Sequence, residues 1–195
     1  MKLPEIIGVA GTNGAGKDTL AILRAENLGA ANVSLSDMLR SELANSADHE
    51  RGNLREFGNK LRAEFGPGVL AERAIKAYRE SGNHTGLSIT SVRSIGEAEV
   101  ILAEGGEIVW IDADPHLRHQ RVLNRPGARP TDQKTFEEFM AEEAAEMNPP
   151  AGQETEKGVL NMGAIKKMAT IFITNEFPDP DVYKAYLESE YELKP

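Results

Sequence analysis

Short apolar runs alternate with longer amphipathic ones along the 195-residue chain. The runs EIIGVAG (5–11), NVSLS (32–36), GLSITSV (86–92), EIVWIDA (107–113) and TIFITNE (170–176) read as strands. They are nearly continuously apolar, as strands covered on both faces are, and a helix-like stretch follows each of the first four. That repeated β-α pattern predicts an α/β fold with a buried parallel sheet. Two Pro- and Gly-rich patches, NRPGARPTD (124–132) and NPPAGQ (148–153), bracket the acidic helical stretch KTFEEFMAEEAAEM. They mark residues 126–152 as a lid between two hinges on a single domain spanning 1–195.

Composition narrows the function. With 40% hydrophobic and 27% charged residues the chain is an ordinary globular one. No apolar run reaches the roughly 20 residues that span a bilayer, and MKLPEIIGVAG lacks a signal-peptide core, so a cytoplasmic location and no membrane partner are expected. There is no cysteine, which removes disulfides and thiolate chemistry. The net charge of −9 opposes binding to long nucleic acid, so a phosphorylated ligand needs locally clustered arginines and backbone amides.

Such a site is written into GTNGAGKDT, residues 11–19, between an apolar strand and a helix stopped by Gly29. Glycines here let backbone amides turn onto phosphate oxygens, and a lysine at the helix start reaches the terminal phosphates. Gly11, Asn13, Gly14, Ala15, Gly16, Lys17, Asp18 and Thr19 are therefore the candidate donor-binding loop. Asp18 stands where a hydroxyl usually meets the metal. A carboxylate beside triphosphate makes sense either next to Mg²⁺ or turned into solvent as a favourable helix-start charge.

Arginines fill in the rest. On a helix through 51–66, Arg51, Arg55 and Arg62 fall within roughly 40° of one another beside an apolar stripe of Leu54, Phe57, Leu61 and Phe65, which suits an anion site or a solvated basic edge. Arg93 follows the third strand at the carboxyl edge of the sheet, where ligands bind in such folds. After strand four, Arg118, Arg121 and Arg125 share one helical face within about 60°, with Arg129 just beyond. Glu143 falls on the apolar face of the lid helix, either as a tolerated charge or as a contact to an acceptor hydroxyl or amine.

The loop GTNGAGKDT resembles the G-x-x-G-x-G-K-G-T of adenylate kinases, with Asp18 replacing a glycine, and VSLSDMLRSEL (33–43) resembles their STGDMLR segment. The G-K-D-T ending is similar to that of deoxynucleoside monophosphate kinases, and the outline also resembles dephospho-coenzyme A kinases. The resemblance covers most of the chain. It implies the P-loop NTPase fold, a five-stranded parallel sheet in order 2-3-1-4-5 flanked by helices, with a helical lid and acceptor-binding helices in 36–82. It implies ATP as donor, Mg²⁺ as cofactor and a small nucleotide as partner and acceptor. Lys17, Asp37, Arg93 and Arg125 would serve transfer itself, Arg121 and Arg125 the donor, and Asp37, Arg40, Arg55, Arg62, Arg93 and Arg129 the acceptor. Asp37 would be the base if the acceptor were a hydroxyl; as a helix cap it needs no such role. The chain departs from the pattern at the end of strand three, where Thr90 and Ser91 stand in place of a metal-anchoring Asp, and in the lid's far side, where 133–152 holds no arginine. A nucleotide-binding module without transfer, or a protein acting in RNA maturation, are the other readings.

Overall fold

The structure, a computed structural model, describes residues 1–45, 54–125, 133–153 and 156–194, with the side chain of Arg55 left out of that description. Five strands form one parallel sheet: β1 (Ile6–Gly11), β2 (Ala31–Ser34), β3 (Leu87–Thr90), β4 (Glu107–Asp112) and β5 (Ile171–Thr174). Their order is β2-β3-β1-β4-β5, with β1 paired to β3 and β4 through Val9↔Thr90 and Ala10↔Trp110. Each run read as a strand from the sequence overlaps one, and four of the five contain it whole; β2 begins one residue before the run 32–36 and ends at Ser34, where α2 takes over. The sheet is buried because successive side chains feed different cores: on β4, Ile108 and Trp110 join one cluster while Val109 and Ile111 join the other. That is the period of two of a strand covered on both faces.

The helices are α1 (Lys17–Leu28), α2 (Leu35–Ala44), α3 (Leu54–Phe65), α4 (Val69–Ser81), α5 (Ile95–Ala103), α6 (Pro115–Asn124), α7 (Phe136–Met147), α8 (Met162–Met168) and α9 (Pro180–Glu190). Tyr183 and Leu187 of α9 pack with Leu20 and Leu23 of α1 in one core; the other takes residues of α2, α4, α5 and α8. Helix α1 begins directly at the loop after β1 and ends at Gly29, whose left-handed backbone closes it. Arg24, nearly fully buried in α1, donates to the carbonyls of Pro4, Glu5 and Leu87 and to the Ser88 hydroxyl, so it ties the lower ends of β1 and β3 together. Burial draws its guanidinium down to about 10. The expected lid, 126–152, contains α7; residues 126–132 lie outside the described residues. No helix of the described residues is long and apolar enough to cross a membrane.

Candidate active site

The loop after β1 sits at the carboxyl edge of the sheet, where the strand order places ligands in such folds. Its glycines are demanded by contact as well as by angle. Gly14 has φ +79°, and a Cβ there would lie 2.6 Å from the Arg118 carbonyl; Gly16 has φ +89°, and a Cβ there would meet the Asn175 amide at 2.6 Å. Gly16 also caps α1 with no side chain, so the helix start is open to an anion. Lys17 folds back across the loop and donates to the Thr12 carbonyl at 2.5 Å. Burial first and Arg93 second draw its ammonium down to about 8, against the pull of Asp18 and Glu146.

Three further groups brace the loop. The Thr12 hydroxyl donates to Asp112 Oδ1 at 2.6 Å, at the end of β4. Burial raises Asp112, but the hydrogen bonds from Thr12, the Ala113 amide and Trp110, with Arg118 nearby, outweigh it and hold the carboxyl below its ordinary value. Asn175, just beyond β5, donates its side-chain amide to the Ala15 carbonyl at 2.9 Å. Arg118, 2% exposed, donates to the carbonyls of Ala113 and Asn13 and forms a two-pronged pair with Glu143 of the lid helix. Its guanidinium also lies 5.5 Å from the Phe139 ring centre. Glu143, read from the sequence as a charge on the lid's apolar face, answers a buried arginine and holds α7 over the loop. His116 stacks on Phe136 with ring centres 4.0 Å apart, and His119 donates from Nε2 to the Lys134 carbonyl at 2.8 Å, so both pack α7 against α6.

A cavity of about 860 Å³ opens in front of the loop. Gly11, Asn13, Lys17 and Asp18 line it from the loop side, Asp37 and Arg40 from α2, Ser91 and Arg93 from the end of β3, Arg125 from the end of α6, and Glu142, Glu143 and Glu146 from α7. Arg93 pairs with Glu146 at 2.8 Å, and Arg40 pairs with Asp37. A chain of hydroxyls runs along the wall formed by the start of α2 and the end of β3: Ser34 to Ser36 at 3.1 Å and Ser36 to Ser91 at 3.2 Å, with Arg40 reaching Ser36 at 3.3 Å. Ser91 adopts φ +61°, a left-handed backbone unusual for serine.

A second cleft of about 350 Å³ lies on the other side of the loop, lined by Gly16, Thr19, Arg121, Asn175, Phe177 and Tyr183 among others. Arg121 donates to the carbonyls of Asn175 and Phe177, which fixes its guanidinium along the cleft.

Most sequence-derived candidates converge on these two hollows, with differences of placement. The N-cap of α2 is Ser34, whose hydroxyl accepts from the Asp37 amide, instead of Asp37. That leaves the Asp37 carboxylate to the cavity. Arg62 turns inward to Glu97 at 2.6 Å, away from the cavity lining. Arg129 and Arg51 lie outside the described residues, as does the side chain of Arg55. Sequence reasoning passed over Glu97, Asp112, Glu146 and Asn175; Asp112, at a strand's carboxyl end in WIDADP, and Glu97, inside the apolar stretch SIGEAEVILA, carried a legible signal.

No family model matches the chain. A shikimate kinase of Rhodopirellula baltica is 29% identical over 145 residues, 71% of this chain and 72% of that protein. Among solved structures, shikimate kinase from Bacteroides thetaiotaomicron superposes with a TM-score of 0.61 at 18% identity, covering 96% of this chain and 97% of the other. TT1252 from Thermus thermophilus gives a TM-score of 0.54 at 22% identity over 100% of both chains. The fold is that of P-loop kinases.

Proposed function

We propose that the protein is an ATP-dependent phosphotransferase whose acceptor is a hydroxyl of a small polar molecule, with Asp37 as the base. One observation carries the choice of acceptor. Asp37 is freed from capping by Ser34, held by Arg40, and faces the cavity beside the hydroxyls of Ser36 and Ser91. Among the described residues, five carboxylates of the cavity wall face four cations. That balance suits a hydroxyl acceptor better than a second phosphate. The relative named a shikimate kinase points the same way.

In this reading the triphosphate lies along the loop, with its base in the second cleft against Arg121 and its terminal phosphate between Lys17, Arg93 and Arg125. The acceptor oxygen attacks the γ-phosphorus, its proton passes to Asp37, and the bond from that phosphorus to the ADP oxygen breaks. Lys17 and the arginines neutralise charge on the oxygens in transit, and α7 over the loop keeps water out. Mg²⁺ fits the residues present: Asp18 is exposed on the cavity wall, and this ion is commonly held by one or two carboxylates plus substrate phosphates. When bound it supplies charge neutralisation for the phosphates; Asp18 is the residue that would hold it.

Arg40 and Arg93 on the same wall favour a second reading, a nucleoside monophosphate acceptor, which needs no base. One panel separates them: ADP release with ATP and Mg²⁺ against shikimate, dephospho-coenzyme A, and ribo- and deoxyribonucleoside monophosphates, for wild type and Asp37→Asn. A hydroxyl acceptor turned over by wild type should lose about 10²–10⁴-fold in kcat in the mutant. Turnover of a monophosphate at equal rates in both proteins would replace the first reading with the second.

A further inference from the structure

The four residues between β3 and α5, together with the first turn of α5, are held from four directions. Ser91 bonds to Ser36 at the start of α2, and the Arg93 side chain pairs with Glu146 of the lid helix. The Arg93 carbonyl accepts from the Asn161 amide and the Gly96 amide donates to the Lys157 carbonyl, so the segment returning from the lid crosses over this turn. The fourth hold is Glu97. Its carboxylate is 0% exposed; one oxygen accepts from the backbone amides of Arg93 and Ser94 at 2.9 and 3.1 Å, and the other accepts from Arg62 of α3 at 2.6 Å.

A fully buried carboxylate is costly unless every lone pair it turns inward is used. A helix-capping glutamate requires only its bond to the N-cap amide. Here the same carboxylate also fixes the amide of Arg93, the residue before the cap, and draws in a guanidinium that the surface would otherwise solvate. The residue whose backbone is pinned this way lines both the main cavity and the narrower cleft with Lys17, Gly11 and Asn13. Arg93 is also the charge that acts most strongly on Lys17 after burial.

We propose that Glu97 is a positioning residue: it fixes the backbone from which Arg93 reaches the transferring phosphate, and through Arg62 makes that position depend on α3. The proposal rests on the phosphotransferase reading, in which Arg93 faces the γ-phosphate. It distinguishes Arg62, an internal brace, from the cavity arginines Arg40, Arg93 and Arg125.

The test uses ATP·Mg²⁺ and ADP·Mg²⁺ as probes and needs no acceptor. Binding is read from the fluorescence of Trp110, the chain's one tryptophan, which lines the cavity. Because Arg93 addresses the phosphate that ADP lacks, Glu97→Gln should reduce the preference for ATP over ADP by roughly tenfold and leave the ADP Kd within about twofold. Arg93→Ala should give the same loss, and the double mutant no more than either. If Glu97→Gln fails to fold because Arg62 is left unpaired, Glu97→Met with Arg62→Met removes both charges and should show the same lost preference. A folded Glu97 variant with a lowered Tm and the wild-type ATP preference would make Glu97 a helix cap only and overturn the proposal. A wild-type chain that binds no ATP would overturn the phosphotransferase reading and this proposal with it.

Discussion

Raising the pH from 7 to 9 should release ATP, because Lys17, the lysine we assign to its phosphates, titrates in that window. Burial, then Arg93, brings Lys17 to about 8 in the ligand-free protein, with Arg118 adding to the depression and Asp18 and Glu146 opposing it. About nine-tenths of the lysine is protonated at pH 7 and about one-tenth at pH 9. Bound triphosphate favours the ammonium, so only the protonated fraction binds well, and the apparent Kd scales inversely with it. ATP affinity should therefore fall about tenfold between pH 7 and pH 9. A phosphate with a second pKa near 6 is already ionised throughout, so the ligand contributes little to the slope. The ligand-free protein should respond with the opposite sign. The folded pKa of Lys17 is lower than the 10.5 of the free side chain, so between about 8 and 10.5 the unfolded chain binds more protons and folding becomes more favourable as pH rises. The full shift corresponds to about 3 kcal/mol, which partial solvent contact reduces to about 2 kcal/mol. Trp110 fluorescence titrations at pH 7, 8 and 9, with Lys17→Met as the variant lacking the titrating group, measure the first effect, and urea unfolding measures the second. A wild-type Kd that stays flat across this range would refute the assignment of Lys17 to the phosphates.

Glu143→Ala should destabilise the protein by about 3–5 kcal/mol, since it leaves Arg118 charged and buried; pairing it with Arg118→Met should recover a large part, as urea unfolding will show. Arg121→Ala should weaken ATP roughly tenfold while leaving the KM of the acceptor within about twofold, because Arg121 is fixed along the second cleft, away from the acceptor wall. Asp18→Ala should raise the Mg²⁺ concentration needed for half-maximal turnover; an unchanged requirement would leave Asp18 as a helix-start charge.

What was legible in the sequence followed from local rules. Doubly buried strands announce themselves as apolar runs, and the glycine loop between strand and helix carries its own geometry, so the sheet and the shape of that loop could both be read. The pairings were not legible, because topology makes them. Periodicity put Arg62 on a face with Arg51 and Arg55, but its partner Glu97 lies 35 residues away in another helix. A glutamate inside the apolar stretch SIGEAEVILA was the available hint. Periodicity likewise grouped Arg118 with Arg121 and Arg125, whereas the packing of α7 buries Arg118 alone among them and sends it to Glu143. At the start of α2 three residues could cap the helix, and the choice of Ser34 is settled by Leu35, which is buried as the first helical residue. Capping chemistry cannot see that burial.

The carboxylate after Lys17 gains a physical setting from where the first turn of α1 points its residues. Lys17 crosses the loop to the Thr12 carbonyl, Asp18 lines the main cavity, and Thr19 lines the second cleft. Successive helix residues diverge by about 100°, so one loop serves both hollows, and a hydroxyl displaced by one position faces the cleft assigned to the base instead of the phosphates. Asp18 thereby adds a negative charge to the wall that receives a polyanion, beside Asp37 and the three glutamates of α7. Of the cations described on the cavity wall, Arg40 and Arg93 are already engaged by Asp37 and Glu146. In the proposed reading, electrostatic balance favours two changes on ATP binding: a divalent cation, which Asp18 would hold and which would neutralise charge, and exchange of the Glu146 carboxylate on Arg93 for phosphate oxygen. Both couple ligand binding to the helix that covers the loop, since Glu146 lies on α7 one turn from the Glu143 that holds it to Arg118.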